Sequence, residues 1–227
     1  MSVLFYFVNI FYLQFICTHG KNLVIISANS RNMLLGGDIF MEIKEALPEY
    51  KRYTYEDYCA WDDDKRRELI DGVPYAMASP SIAHQEILGA LHNQIYSFLK
   101  GKPCKVLAAP VDVRLNYDSS DDIVVQPDLL VVCDQSKLDG KSCKGAPDMT
   151  IEIISRSTAM RDKVLKFNRY LTAGVREYWV VEPDSKSVSV HLLKSGEYVT
   201  RAYGGDDCVP VNVLDGCDID FTEIFDK

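Results

Sequence analysis

Two apolar segments of the chain are each interrupted by a single carboxylate, and this pattern constrains the fold more than any other feature. Residues 122–133 read DIVVQPDLLVVC and residues 148–155 read DMTIEIIS, with Asp128 and Glu152 as the interrupting acids. Runs that are apolar at almost every position are typical of strands buried on both faces of a sheet. Because an unpaired carboxylate is costly to bury, each acid needs an edge position, an ion-pair partner or a bound cation.

A divalent cation fits two neighbouring carboxylates well. Acids placed side by side raise each other's pKa unless a cation lies between them. Mg²⁺ prefers oxygen ligands, few in number and completed by water and phosphate. The sequence therefore predicts a Mg²⁺ site on Asp128 and Glu152, in which Mn²⁺ can substitute. A third acid is offered by Asp112 in APVDVRL or by Glu68 in RELIDG.

The segment after Glu152 has the clearest helical pattern of the chain, at residues 158–172. Four apolar side chains recur at helical spacing and predict the core face of this helix: Met160, Val164, Phe167 and Leu171. Three polar side chains lie together on the flank beside that face: Lys163, Lys166 and Tyr170. A lysine there could hold an attacking water or stabilise a pentavalent phosphate. The alternative is a solvated basic helix face.

Two further side chains could contact a substrate that carries phosphate. Arg156 follows the strand of Glu152 and adds positive charge close to it. His84 lies in SPSIAHQE, at the opening turn of a helix predicted for residues 82–100, where it could bind phosphate or transfer a proton. A histidine that begins a helix can equally have no catalytic role. Asp162 lies four residues before Lys166 and can pair with it along the helix.

The order of elements predicts a mixed α/β sheet with helices on its faces. A further helix is expected at 53–61, and a polar loop at 134–147. Strands are predicted in two hairpins and four central segments: 67–80, 187–203, 105–117, 122–133, 148–155 and 176–183.

Charge and cysteine usage limit the kinds of partner and site. The net charge of -8 argues against broad adhesion to nucleic acid, which needs many cationic contacts to phosphate, but it permits a local basic patch. The seven cysteines form no C-x-x-C pair, and the four histidines lack zinc-ligand spacing. We therefore expect neither a disulfide framework nor a structural zinc site. A reducing cytoplasm is the simplest interpretation.

The first forty residues differ in character from the rest. Residues 1–17, MSVLFYFVNIFYLQFIC, are uncharged and strongly apolar. They lack the basic start of a signal peptide, and they fall short of the about 20 apolar residues that a membrane helix needs. A membrane anchor, a buried strand or helix, and an upstream extension outside the native domain stay open. We expect an extension at 1–40 and one domain at 41–227.

Six motifs in one order resemble the Uma-type restriction endonuclease family of the PD-(D/E)XK nuclease superfamily. They are RELIDG (67–72), MASPSIAHQ (77–85), APVDVRL (109–115), VVQPDLLVVCD (124–134), GAPDMTIEIISRST (145–158) and DKVLKFNRYLTAGVREYWVVEP (162–183). The resemblance covers about residues 50–225. It implies a restriction endonuclease-like core, in which helices flank a central mixed β-sheet and the site lies at one sheet edge.

The resemblance also implies an activity and roles for the acids. The expected activity is Mg²⁺-dependent endonuclease hydrolysis of phosphodiester bonds in DNA, without an organic cofactor. Asp128 matches the acid of the PD element and Glu152 the second acid, both metal-binding. Glu68 matches an acid often supplied by an earlier element, and Asp112 matches a recurrent family acid.

One position departs from the superfamily pattern, which places a lysine two residues after the second acid. This chain has Ile154 there. In the family that the chain resembles, the lysine lies on the following helix, which makes Lys166 the first candidate and Lys163 the second. The absent strand lysine keeps a second hypothesis open, a catalytically silent nuclease fold that binds nucleic acid or a protein partner. Cleaving both strands of a duplex calls for two sites, so an active enzyme is expected to work as a homodimer.

Overall fold

The computed structural model describes residues 15–19, 22–26, 51–155 and 161–225. The chain forms two units, Met1–Glu49 and Tyr50–Lys227. In the first unit, strand β1 (Phe15–His19) pairs antiparallel with β2 (Asn22–Ile26). Most of the apolar segment 1–17 lies outside the described residues. Within the described ranges, no helix is long and apolar enough to cross a membrane.

The second unit contains the mixed sheet that the sequence predicts. Its helices are α1 (Tyr55–Cys59), α2 (Ile82–Leu99), a 3₁₀ turn (Gln135–Lys137), a π-helical segment (Arg161–Lys166), α3 (Phe167–Ala173) and α4 (Thr222–Phe225). Its strands are β3 (Arg67–Ile70), β4 (Val73–Ala76), β5 (Lys105–Ala108), β6 (Asp112–Arg114), β7 (Val124–Val125), β8 (Leu129–Val132), β9 (Ser142–Lys144), β10 (Met149–Ile153), β11 (Glu177–Glu182), β12 (Ser187–Lys194), β13 (Glu197–Gly204), β14 (Cys208–Pro210) and β15 (Asp218–Asp220).

The strands of this unit form three sheets. The largest has the order β13-β12-β11-β10-β8-β5, and a five-stranded sheet has the order β4-β3-β7-β6-β9. Strands β14 and β15 pair with each other. In the six-stranded sheet, β10 and β11 are parallel, and the π-helical segment with α3 connects them. The other pairs of that sheet are antiparallel. The α/β class with a mixed sheet is confirmed.

Two strands predicted as continuous are each divided between the two sheets. The segment 105–117 breaks at Ala109-Pro110, and 122–133 breaks at Pro127-Asp128. Proline has no N–H to donate to the hydrogen bonds between strands, so β5 ends before Pro110 and β7 ends before Pro127. The predicted loop 134–147 also contains β9, which pairs with β6. These breaks place Asp128 where the chain passes from one sheet to the other.

Helix α2 packs as its apolar spacing predicts. Ile87, Leu91 and Ile95 are buried in a core shared with β8, β10 and β11, and each buried side chain of this size contributes roughly 1.5–3 kcal/mol. Ser81 caps the helix by accepting a hydrogen bond from His84 N at 3.2 Å. This cap fixes the first turn, which carries His84.

The helix that follows β10 buries a different face from the one that its apolar spacing predicts. Val164 is 51 % exposed, and the predicted core residues Phe167 and Leu171 are only half-buried. Met160 lies outside the described residues. The buried face instead carries Asp162, Lys166 and Tyr170. The predicted core stripe is therefore wrong at Val164, whereas Phe167 does pack against the core. The face differs because the wide π-helical turns change the angle between residues and because Lys166 has carboxylate partners in the interior.

One disulfide differs from the expectation for the cysteines. Cys104 and Cys133 are joined, although 29 residues separate them in the chain. The β5–β8 register sets Lys105 opposite Val132, so the residues just beyond this pair face each other across the two strands. Register between distant strands is not legible from cysteine spacing. Within residues 51–155 and 161–225, the other four cysteines are free: Cys59, Cys143, Cys208 and Cys217.

Candidate active site

Asp128 and Glu152 lie side by side on neighbouring strands. The antiparallel β8–β10 register pairs Leu129 with Ile151, and its continuation by one residue sets Asp128 opposite Glu152. Residues directly opposite in antiparallel strands share one face of the sheet. Ile153 N donates a hydrogen bond of 2.7 Å to Asp128 Oδ2, which holds this carboxylate against β10. The structure thus brings together the two acids that the sequence singled out.

Lys166 lies among three carboxylates. Its Nζ is 2.6 Å from Glu68 Oε1, 2.9 Å from Glu152 Oε1 and 3.3 Å from Asp162 Oδ1. Burial alone lowers the pKa of a lysine, but the negative charges of these three acids outweigh it and raise the pKa of Lys166 above its usual range. The buried side chain therefore stays an ammonium ion, which makes it a donor and a positive charge rather than a base.

The environment of Glu152 favours its neutral form. Burial raises its pKa well above the usual range, the charge of Lys166 opposes this, and the nearby Asp162, Asp128 and Glu68 raise the pKa further. Tyr170 OH donates a 2.7 Å hydrogen bond to Glu152 Oε1, the oxygen that Lys166 also contacts. Among the residues that the structure describes, no donor reaches Oε2. One oxygen is thus held in place and the other is available to a ligand.

His84 extends the cluster from the first turn of α2. Its Nε2 lies 3.2 Å from Asp128 Oδ2. Burial lowers the pKa of His84, but the hydrogen bond to Asp128 and the charge of that acid outweigh it, so the pKa is raised. His84 Nδ1 is buried and has no hydrogen-bond partner within the described ranges. The histidine and Ile153 N therefore contact the same oxygen of Asp128.

Several of these side chains line a cleft of about 580 Å³. Its lining includes Asp128, Glu152, Asp162 and Lys166, together with residues 77–81 and the start of α2. Arg161 lies at the cleft with its Nε 3.4 Å from Glu68 Oε2. A cleft of this size, lined by convergent charged groups, is the expected form of an active site.

The residues present fit a hard divalent cation with few protein ligands. Glu68 Oε2 and Asp162 Oδ1 are buried without a hydrogen bond, although Arg161 and Lys166 lie within ion-pair distance of them. The described part of the chain holds no group of three or more His, Cys, Asp or Glu side chains arranged to bind a metal. Mg²⁺ needs no such cage, because it keeps several waters and binds through one or two carboxylates plus substrate phosphate. Asp128 and Glu152 are the pair that could hold it.

Sequence and structure comparisons identify the family. The profile of the Uma2 family, described as "Putative restriction endonuclease", matches residues 54–222, more than half of the chain. The chain belongs to the Uma2 family. An uncharacterized protein of Synechocystis is 24% identical over 166 residues, which cover 70% of this chain and 84% of that protein. The fold is similar to the crystal structure of a "putative nuclease belonging to DUF820" from Anabaena variabilis, with a TM-score of 0.62 and 20% identity over 76% of this chain and 96% of that chain.

Other predicted site residues of this Uma2 chain occupy different surroundings. Asp112 lies outside the cleft lining, where its Oδ1 accepts hydrogen bonds from Gln126 Nε2 at 2.9 Å and Tyr58 OH at 3.1 Å. Lys163 is exposed and pairs with Glu182 at 2.7 Å. Arg156 lies outside the described residues. The structure thus groups Lys166, and neither Lys163 nor Asp112, with the two strand acids.

Two members of the site in this Uma2 chain carried weak sequence signals. Asp162 was expected only as a helical partner of Lys166, yet it also lines the cleft. Gln126 gave no signal except its position two residues before Asp128. Its backbone N donates to Glu68 Oε1 at 2.9 Å and its side chain lines the cleft. Glu68 therefore receives its partners from the residue that follows β7 and from the π-helical segment, both far away in the sequence.

Proposed function

We propose that this protein is a Mg²⁺-dependent endonuclease that hydrolyses phosphodiester bonds of DNA. The observation that carries the proposal is the pair Asp128 and Glu152 on adjacent strands in a cleft, with Lys166 in contact with Glu152. Membership of the Uma2 family supports the same chemistry. In this proposal Asp128 and Glu152 would hold the cation.

The roles of the surrounding residues follow from their contacts. The cation, when bound, polarises a phosphoryl oxygen and lowers the pKa of a bound water. Lys166 donates to the phosphoryl group as negative charge develops on the phosphoryl oxygens. It does not act as the base that takes the proton of water, because its raised pKa keeps it an ammonium ion. Tyr170 fixes the orientation of Glu152, and His84 with Ile153 N fixes Asp128.

Plasmid cleavage tests this proposal. The full chain is incubated with supercoiled plasmid and Mg²⁺ or Mn²⁺, and the products are resolved on a gel. We expect nicked and linear DNA with the wild type and a loss of at least about 100-fold in rate for Asp128→Asn and for Glu152→Gln, by analogy with removal of one transition-state-stabilising group. Asp215→Asn is the matched control, since Asp215 is an exposed acid outside the cleft. Cleavage that survives Asp128→Asn contradicts the assignment.

A catalytically silent domain is the second candidate, and one observation favours it. The Lys166 ammonium already lies among three carboxylates, so it neutralises part of the charge that a metal would otherwise compensate. Titration calorimetry with Mn²⁺ separates the two candidates. Heat that disappears in Asp128→Asn supports the nuclease, and the absence of any binding supports the silent domain.

The number of copies on DNA is part of the same proposal. Hydrolysis of both strands of a duplex needs two sites, so we expect two copies of the chain on one duplex. Sedimentation of the protein with a short DNA duplex in EDTA measures this stoichiometry.

A further inference from the structure

We infer that Arg66 binds a phosphate of the DNA backbone, and that Asp112, through Gln126, positions Arg66 for this contact. The inference rests on the proposed function, and it gives the cleft a substrate-binding residue and Asp112 a role. It starts from the charges of the cleft. Among the described residues, four side chains that can carry positive charge line it: Arg66, His84, Arg161 and Lys166.

Arg66 differs from the other three in its partners. Lys166 and Arg161 lie within ion-pair distance of Glu68, and His84 contacts Asp128. Within the ranges that the structure describes, no carboxylate contacts Arg66. Its Nη2 donates instead to the neutral amide oxygen Gln126 Oε1 at 2.8 Å. Its charge is therefore not cancelled by a partner, and a guanidinium binds phosphate through several parallel N–H groups.

The backbone places Arg66 on the side of the carboxylate cluster. Met77 N donates to Arg66 O at 3.0 Å, which continues the β3–β4 pairing by one residue. Residues two apart on an extended strand point to the same face, so Arg66 and Glu68 share a face. Because Glu68 contacts Lys166, a phosphate held by Arg66 lies next to the cluster that carries the proposed chemistry.

Asp112 determines which end of the Gln126 amide meets Arg66. Gln126 Nε2 donates to Asp112 Oδ1 at 2.9 Å and to Tyr58 OH at 3.1 Å. Tyr58 OH in turn lies 3.1 Å from Asp112 Oδ1. A carboxylate accepts hydrogen bonds only, so it selects the amide NH₂ and turns Oε1 toward Arg66. Asp112 is thus a positioning residue: it contacts Gln126, and Gln126 contacts the Arg66 that binds the phosphate.

Salt-dependent DNA binding tests the inference without any cleavage step. A labelled duplex is titrated with the full chain in EDTA at a series of KCl concentrations. We expect Arg66→Gln to weaken binding by about tenfold and to reduce the slope of log affinity against log salt by about 1, because one phosphate contact is lost. Arg201→Gln, an exposed arginine on β13, is the matched control and should change neither value.

A double-mutant cycle tests the link to Asp112. We expect Asp112→Ala to weaken binding in the same direction, and the double variant with Arg66→Gln to bind no more weakly than Arg66→Gln alone. Tyr58→Phe provides a milder second variant if Asp112→Ala lowers the melting temperature below the assay range. Additive effects contradict the positioning role. An unchanged slope in Arg66→Gln, or no binding by the wild type, overturns the phosphate contact.

The outcomes separate this inference from the proposed function. If Arg66→Gln loses affinity while the wild type never cuts plasmid, the phosphate contact stands and the nuclease proposal fails. If the wild type cuts plasmid and Arg66→Gln binds and cuts equally well, the nuclease proposal stands and Arg66 has no role in binding.

Discussion

Buried ionisable groups occur in two regions of the large sheet, and their partners differ. At the cleft, Glu152 on β10 shares Lys166 with Glu68 and Asp162. On the neighbouring strand β11, Glu177 is equally buried but accepts hydrogen bonds from neutral donors: Trp179 Nε1 at 2.7 Å, Asn212 Nδ2 at 3.2 Å and Val213 N at 2.8 Å.

Two of the histidines, His84 and His191, show the same difference in their partners. His84 at the cleft contacts Asp128, and its pKa is raised despite burial. His191 on β12 contacts the hydroxyl of Thr200 at 2.7 Å, and burial lowers its pKa to about 4. Neutral donors that satisfy both oxygens of a carboxylate make it a structural group. The crowded charges around Glu152 are the arrangement on which we base the proposed cation site.

The largest effect is expected from Lys166→Met. It removes the ammonium ion from three buried carboxylates, and breaking such a buried pair costs about 3–5 kcal/mol. Urea unfolding followed by circular dichroism measures the loss in free energy of unfolding. Lys163→Met is the matched control, because its exposed pair with Glu182 should contribute only about 0–1 kcal/mol. Equal losses in the two variants contradict the buried ion cluster.

Neutralising the two buried glutamates should change stability in opposite directions. Glu177→Gln leaves one of three donors without an acceptor, so the free energy of unfolding should fall by about 1–3 kcal/mol. Glu152→Gln removes a charge that its surroundings disfavour, so stability at neutral pH should be unchanged or higher. Thermal melts of both variants without metal give the comparison. A loss of similar size in Glu152→Gln shows that its charge stabilises the fold after all.

The smallest effect concerns pH and His191. Its pKa is lowered from the ordinary 6.5 to about 4, so the unfolded chain takes up a proton at a higher pH than the folded protein. The stability of the neutral form is fully present above pH 6.5 and is lost as the pH falls toward 4. The difference in unfolding free energy between wild type and His191→Gln should therefore shrink over this interval. A difference that is independent of pH refutes the neutral burial of His191.

The sequence predicted the parts of the fold and site that depend on local pattern. Apolar runs located β8, β10 and β11, and their interruption by acids located Asp128 and Glu152. The buried face of α2 follows from its sequence, because Ile87, Leu91 and Ile95 recur at helical spacing and all three are buried.

The parts that were missed depend on contacts between distant residues. The core face of the helix after β10 was predicted from apolar spacing alone. Apolar spacing cannot predict a buried lysine, so the face that carries Lys166 was missed. Lys166 can be buried because Glu68 contacts it from β3, a strand far earlier in the sequence, and this proximity exists only in the folded protein. The Cys104–Cys133 bond and the Asp112–Gln126 contact were missed for the same reason.

The parallel pairing of β10 with β11 also sets an order of assembly. The connection between these strands carries Lys166 and Tyr170, so their contacts with Glu152 close loops of 14 and 18 residues. Short loops close at a lower entropic cost than long ones. We expect the contacts of Glu152 to form early in folding and Glu68 to join when β3 docks, so that the ammonium ion is in place before the last acid is buried.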